Sequence, residues 1–219
     1  MGARNGRRAG WIGWGCVVAA VAGWGGVAMP AGAQELTLSI GRSSSDYREL
    51  GNPTSLSAGL VIPVYRALGV RVDYRRHTDE QAWERSTCDG LIPPDTPGCQ
   101  LDVFDSDFAL QAVSAGPQIT VPFAGRVRAF AALMWSRLSV DGDWIGQQTG
   151  TNLGLTPEGT FNGFTVIGGA SVRITRNIDA TIAASRLRPD FTLCVQDVYY
   201  PWCEGLPLKS VEFGIALRR

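Results

Sequence analysis

The sequence predicts an all-β chain, folded as an eight-stranded antiparallel up-and-down transmembrane β-barrel with short periplasmic turns and four long extracellular loops. Three observations point there. Eight segments alternate with a period of two, the mark of strands with two unlike faces. Their connections alternate between short and long. One phase of each strand is apolar, while the other is small, polar or charged in both signs.

The N-terminus sets the compartment. Arg4, Arg7 and Arg8 precede an uncharged apolar run, and Ala31-Gly32-Ala33 offers a small-x-small cleavage site. That order is the layout of a secretory signal peptide over residues 1–33, leaving one domain over residues 34–219. Losing those arginines from a chain with 20 basic and 20 acidic residues gives a net charge of −3. No basic patch for nucleic acid remains, and no second long apolar run follows.

The strands are expected in this order. The first is "LTLSIG", with Leu36, Leu38 and Ile40 in phase. The second is "SLSAGLVIPV", with Leu56, Ala58, Leu60, Ile62 and Val64 in phase. The third, "GVRVDYRRH", sets Val70, Val72 and Tyr74 against Arg71, Asp73 and Arg75. The fourth lies within "SDFALQAVSAGPQITV", where an apparent slip of phase near Gln111 predicts a bulge or a strand boundary placed elsewhere. The fifth, "RVRAFAALMWS", places Val127, Ala129, Ala131, Leu133 and Trp135 in phase. The sixth and seventh are "FTVIGGASVRI" and "IDATIAASR". The last, "SVEFGIALR", alternates Val211, Phe213, Ile215 and Leu217 with Glu212, Gly214 and Ala216. Connections after the second, fourth and sixth strands are of hairpin length. Those after the first, third, fifth and seventh are long and hold much of the Gly, Pro, Asp and Cys.

Alternation alone does not say which face meets which medium, since soluble barrels also alternate. Three features place the apolar phase in lipid. The polar phase is mostly Ser, Thr, Gly and Ala, suited to a narrow interior that eight strands leave just wide enough to fill. Its charges, Arg71, Asp73, Arg75, Arg128, Arg173, Asp179 and Glu212, come in both signs and are expected to form a salt-bridged lumen network. On the lipid face such charges would cost about 2–4 kcal/mol each at mid-depth. Aromatics gather at proposed strand ends: Tyr74, Phe108, Trp135 and Phe164 on the loop side, and Tyr65 and Phe123 on the turn side. They read as two interfacial girdles.

With these features assembled, the mature chain resembles the small eight-stranded outer-membrane barrels of the OmpA/OmpX type. The resemblance rests on strand count, loop asymmetry and leader. It implies a bacterial outer-membrane protein, with outer-membrane lipids and lipopolysaccharide around it and the barrel-insertion machinery as a partner during assembly. The family usually ends its last strand on an aromatic residue; this chain ends in Arg218-Arg219.

Four cysteines remain after the leader. Cys88 and Cys99 sit in one turn-rich stretch, Cys194 and Cys203 in another. An oxidising compartment makes disulfides the expected state. Three pairings are possible, of which local pairing is the economical one. No metal motif or cofactor site is evident. Asp102, Asp105 and Asp107, with Asp141 and Asp143, do not match a calcium loop. The single histidine, His77, has no serine beside it in any local motif and reads as a solvated rim residue. The aromatic stretch 198–203, "VYYPWC", is a candidate loop surface for an unknown extracellular ligand. The expected role is non-enzymatic, structural or surface-interacting. A narrow pore for small solutes, a lipid A-modifying enzyme and a soluble periplasmic barrel are the alternatives.

Overall fold

The computed structural model describes residues 34–45, 52–86, 101–146, 152–195 and 202–219. The leader 1–33, Cys88, Cys99 and residues 198–201 lie outside them. Nine strands are present among the described residues: β1 (Glu35–Ser45), β2 (Thr54–Tyr65), β3 (Leu68–Ser86), β4 (Leu101–Ala124), β5 (Val127–Gly146), β6 (Asn152–Arg173), β7 (Ile178–Val195), β8 (Trp202–Gly205) and β9 (Leu208–Arg218). Each pairs antiparallel with its neighbours. The sheet closes through β6–β7 at one seam and through β7–β9 and β9–β1 at the other. Eight strands therefore form the barrel. Four-residue β8 pairs with the loop end of β7 and leads, after Leu206-Pro207, into β9.

Hairpin chemistry accounts for the turn end. Arg66-Ala67 joins β2 to β3 and Gly125-Arg126 joins β4 to β5. Arg66 and Gly125 take positive φ, 46° and 51°, as tight two-residue hairpins demand. Residues 174–177 join β6 to β7, with Thr175 Oγ1 accepting from the amides of Asn177 and Ile178. Bulges accompany Pro63 and Pro122, which cannot donate to the ladder.

At the other end the strands run farther than alternation indicated. β3 continues to Ser86, β4 begins at Leu101, β5 reaches Gly146 and β6 resumes at Asn152. Much of what reads in sequence as long loop is thus ladder, because backbone pairing persists where side-chain alternation fades. The bulge expected near Gln111 is absent: pairing with β3 runs unbroken through Arg76↔Gln111. The apparent slip has another cause. Phe108, Leu110 and Ala112 point inward, so apolar residues there occupy the inner phase.

Register also fixes the tilt. The rung Leu36–Leu60–Val72–Ala115–Trp135–Phe164–Arg188 returns to β1 just beyond Ser45, a displacement of about ten residues for eight strands. A barrel of that size has an interior that side chains can fill completely.

The two faces differ as media would require. Outside, Leu38, Val72, Leu133, Val166, Ile182 and Ile215 belong to a continuous belt of exposed large apolar residues. A belt of this extent far exceeds the apolar patches of water-soluble monomers. Inside lie the buried arginines, carboxylates and hydroxyls.

Candidate functional site

The lumen is built in layers. At the turn end, Arg128 Nη2 lies 2.7 Å from Glu35 Oε2 and 2.6 Å from Asp179 Oδ2. Arg218 joins them, bonding Asp179 and lying 3.8 Å from Glu35. Two cations meet two carboxylates, so the layer is neutral. Arg218, the penultimate residue, reaches the lumen because β9 keeps Glu212, Gly214 and Ala216 on the same phase. Arg173, expected in this network, instead stands exposed at the β6–β7 turn and makes no ion pair among the described residues. Its strand ends there, so the inner phase opens to solvent.

The middle layer repeats the balance. Arg71 Nη2 lies 2.9 Å from Asp73 Oδ1, and Arg75 Nη2 lies 3.1 Å from Asp73 Oδ2. Arg75 Nε is 3.1 Å from Glu212 Oε1 across the barrel. Hydroxyls complete the shell. Ser55 and Ser57 donate to the two Glu212 oxygens at 2.7 and 2.9 Å, and Arg75 donates to Ser185 at 2.9 Å. Arg71 also reaches Gln118 and lies 5.9 Å from the Phe130 ring centroid. All four charged groups are almost wholly buried. Burial of that kind is tolerated only when every charge is paired and hydrogen-bonded.

Gly59 makes room for this layer. A Cβ there would stand 2.4 Å from Asp73 Oδ1 and 2.7 Å from Thr37 Oγ1. Gly169 does the same for Phe130, whose ring lies over it; a Cβ would meet the ring carbon at 2.6 Å.

The upper layer holds His77. It is fully buried rather than solvated at a rim, because it shares the inner phase with Arg71, Asp73 and Arg75. Its Nδ1 lies 2.8 Å from Ser43 Oγ, which is 2.9 Å from Ser210 Oγ. The fold thus brings a serine to the histidine that no local motif showed. Phe108 belongs to this region too. It does not join the outer girdle: its side chain is fully buried, in the same phase as Leu110 and Ala112. Leu110, Leu187, Leu206 and Leu208 are equally buried. The interior is mixed: mainly polar on β9, β1, β2 and β3, while on β4 to β7 apolar side chains such as Met134 and Ile167 lie beside a buried hydroxyl row, with Ser136 Oγ 2.7 Å from both Ser114 Oγ and Thr165 Oγ1.

On the outer face, Trp135 and Phe164 are register partners and exposed, and Tyr65 and Phe123 are exposed at the turn end. Tyr74 faces outward with its hydroxyl donating to Gln111 at 3.3 Å. Cys194 and Cys203 are directly opposed in the backbone register of β7 and β8. Asp141 is exposed.

Sequence reading missed Glu35, Arg218, Thr37, Gln118, Ser43 and Ser210 as partners. Their signal was phase: Glu35 extends the Thr37–Ser39 row, and Arg218 extends that of Glu212.

No protein-family model matches the sequence, and no curated protein matches it. Solved structures do. A major outer membrane protein from Thermus thermophilus is 12% identical, with 85% of this chain and 99% of that one covered and a TM-score of 0.51. Ail, the attachment invasion locus protein of Yersinia pestis, is 12% identical, with 86% and 99% covered and a TM-score of 0.50. The outer membrane protease OmpT from Escherichia coli is 9% identical, with 78% and 65% covered and a TM-score of 0.47. At such identities the likeness is one of fold. This chain has the fold of the small eight-stranded outer-membrane barrels.

Proposed function

We propose that the chain is a bacterial outer-membrane protein, exported through a cleaved leader, with a sealed, non-catalytic lumen and a role carried by its outer and loop-end surfaces. The observation that supports this most is the division of faces. Large apolar side chains cover the outside, while two neutral ion layers, hydroxyl groups and a set of buried apolar side chains lie inside. In this reading the long-strand end is extracellular, the tight turns are periplasmic, and the loops present a structural or adhesive surface to a ligand of unassigned chemistry. Tyr74, Trp135 and Phe164 mark one membrane boundary, Tyr65 and Phe123 the other. Cys194 and Cys203 form a disulfide that staples the β7–β8 hairpin.

Two tests apply. Fractionation with heat-modifiability on a gel is expected to show a detergent-resistant band in the outer membrane; recovery in the soluble fraction would overturn the placement. Purified folded protein in planar bilayers is expected to give no discrete conductance steps, and regular steps would install the narrow pore instead.

One observation favours a second reading. Ser43 and His77 stand at hydrogen-bond distance, the first requirement of a hydrolase that modifies lipid A. Both side chains are buried inside the barrel, away from the lipid face where an acyl chain would arrive. Unchanged lipid A acylation between strains carrying wild type and His77→Ala removes this reading; a difference establishes it.

A further inference from the structure

The tight-turn end gathers exposed arginines. Arg126 lies in the β4–β5 hairpin, Arg173 ends β6, and Arg176 lies in the turn from β6 to β7. These are neighbouring corners. Val127 pairs with Val172, and one step farther out the Arg173 amide donates to the Arg126 carbonyl at 3.0 Å. The turn holding Arg176 is closed by the amides of Ile174 and Thr175, which donate to the Ile178 carbonyl at 2.9 and 3.0 Å. Three like charges therefore share two adjacent turns. Arg66 adds another on the β2–β3 turn, its guanidinium carbon 5.1 Å from the centroid of the Tyr65 ring.

The carboxylates at this end are already engaged. Asp179 is the register partner of Arg173, yet its side chain is fully buried and held by Arg128 and Arg218. Glu35 meets the same two arginines. Among the described residues no ion pair reaches Arg126, Arg173 or Arg176. Like charges directly opposite are unfavourable in a ladder, and an anion between them lowers that cost. The belt sets the depth of the cluster. Val172, Ile174 and Ile178 flank Arg173 and Arg176 and are exposed, and exposed Phe123 stands three residues before Arg126. The β4–β5 hairpin has only two residues between its strands, too few to carry Arg126 far beyond the strand ends.

We propose that Arg126, Arg173 and Arg176 form a site for the phosphate of an anionic phospholipid in the leaflet at the turn end, with Phe123 and Ile174 against its acyl chains. This rests on the outer-membrane placement proposed above. Three features favour a lipid over a wall polymer or a soluble partner. The cations border exposed apolar side chains, so a ligand with phosphate and hydrocarbon in one molecule meets both. The turns are short and do not project toward a partner beyond the membrane surface. The cations are arginines, whose planar fork takes phosphate oxygens in pairs. A zwitterionic headgroup brings its own ammonium and leaves the cluster uncompensated, whereas a phosphodiester without one compensates it. Attraction of a cation to an anionic lipid surface corresponds to roughly fivefold in affinity per arginine.

The test uses the full chain, folded in non-ionic detergent and titrated with phosphatidylglycerol or with phosphatidylcholine of the same acyl chains. Native mass spectrometry counts the lipids retained one by one. Wild type is expected to retain its first phosphatidylglycerol at a concentration about tenfold below that needed for phosphatidylcholine, consistent with one or two arginine contacts. R126Q/R173Q/R176Q is expected to remove that difference. Equal retention of the two lipids by wild type overturns the proposal, and so does a preference that survives in the triple variant, which would place it elsewhere on the barrel. Cosedimentation of wild type with purified peptidoglycan that is lost in the triple variant would assign the arginines to the wall and overturn it as well. Should the triple variant not fold, R126Q is judged by the same lipid comparison: a narrowed preference supports the site and an unchanged one sinks it. If wild type forms no heat-modifiable barrel, the outer-membrane placement itself has failed. A folded barrel that holds both lipids equally sinks only the site.

Discussion

Gly59 shows how one missing side chain permits an ion layer. It is flanked by Asp73 Oδ1 and Thr37 Oγ1, each closer to its absent methyl than a real carbon tolerates. Gly59→Val pushes a branched group into Asp73 and disrupts the Arg71–Asp73–Arg75 pairing. The expected loss is about 1–3 kcal/mol from overpacking alone, checked by urea unfolding in lipid vesicles. Glu212→Gln removes a charge without removing volume. It leaves Arg75 with only Asp73, which it shares with Arg71. The cost is expected near ~3 kcal/mol, in line with breaking a buried pair from one side. Glu212→Asp is expected to fall between, since the charge stays while the reach shortens. If Glu212→Gln unfolds at the wild-type urea midpoint, the middle layer is not held by that pair.

Strands β1 to β3 and β9 were the legible elements, and β4 to β6 the less legible ones, for one reason. On the first set the inner phase is polar and the outer apolar, so alternation separates them: Arg71-Val72-Asp73-Tyr74 needs no structure to parse. On β5, Phe130 to Met134 is apolar on both phases, because Ala132 and Met134 pack with Ile167 inside the barrel. Phe108 and Leu110 mislead for the same reason; only the register with β3 shows that they face the interior. The Ser43–His77 contact joins β1 to β3 across β2 and leaves no trace in local sequence. At this scale two outcomes are expected. Ile182→Arg, on the belt, costs about 2–4 kcal/mol near the membrane midplane, whereas Ser185→Ala on the same strand loses only the hydroxyl that accepts from Arg75. Urea unfolding of the two variants in vesicles compares them, and the reverse order of cost would mean that the belt does not face hydrocarbon. Peptide mapping without reductant is expected to recover Cys194 joined to Cys203, opposed in the β7–β8 ladder; a link to Cys88 or Cys99 would require a different arrangement at the loop end.

The whole molecule inverts the usual globular plan. Its ion pairs are central and its aliphatic surface is peripheral. Each ion layer is neutral by itself, Arg71 and Arg75 against Asp73 and Glu212, and Arg128 and Arg218 against Glu35 and Asp179. Local neutrality lets both layers sit inside the barrel. Arg218 takes part in the second layer beside Arg128, meeting Asp179 and Glu35. Everything proposed for the outer surface depends on hydrocarbon covering the apolar belt. The most direct measurement replaces Ile182 with Trp and records its emission in vesicles of brominated-chain lipid. Strong quenching by bromines deep in the chains, with little quenching by aqueous iodide, is the predicted result. Iodide quenching without an effect of bromine would contradict the account.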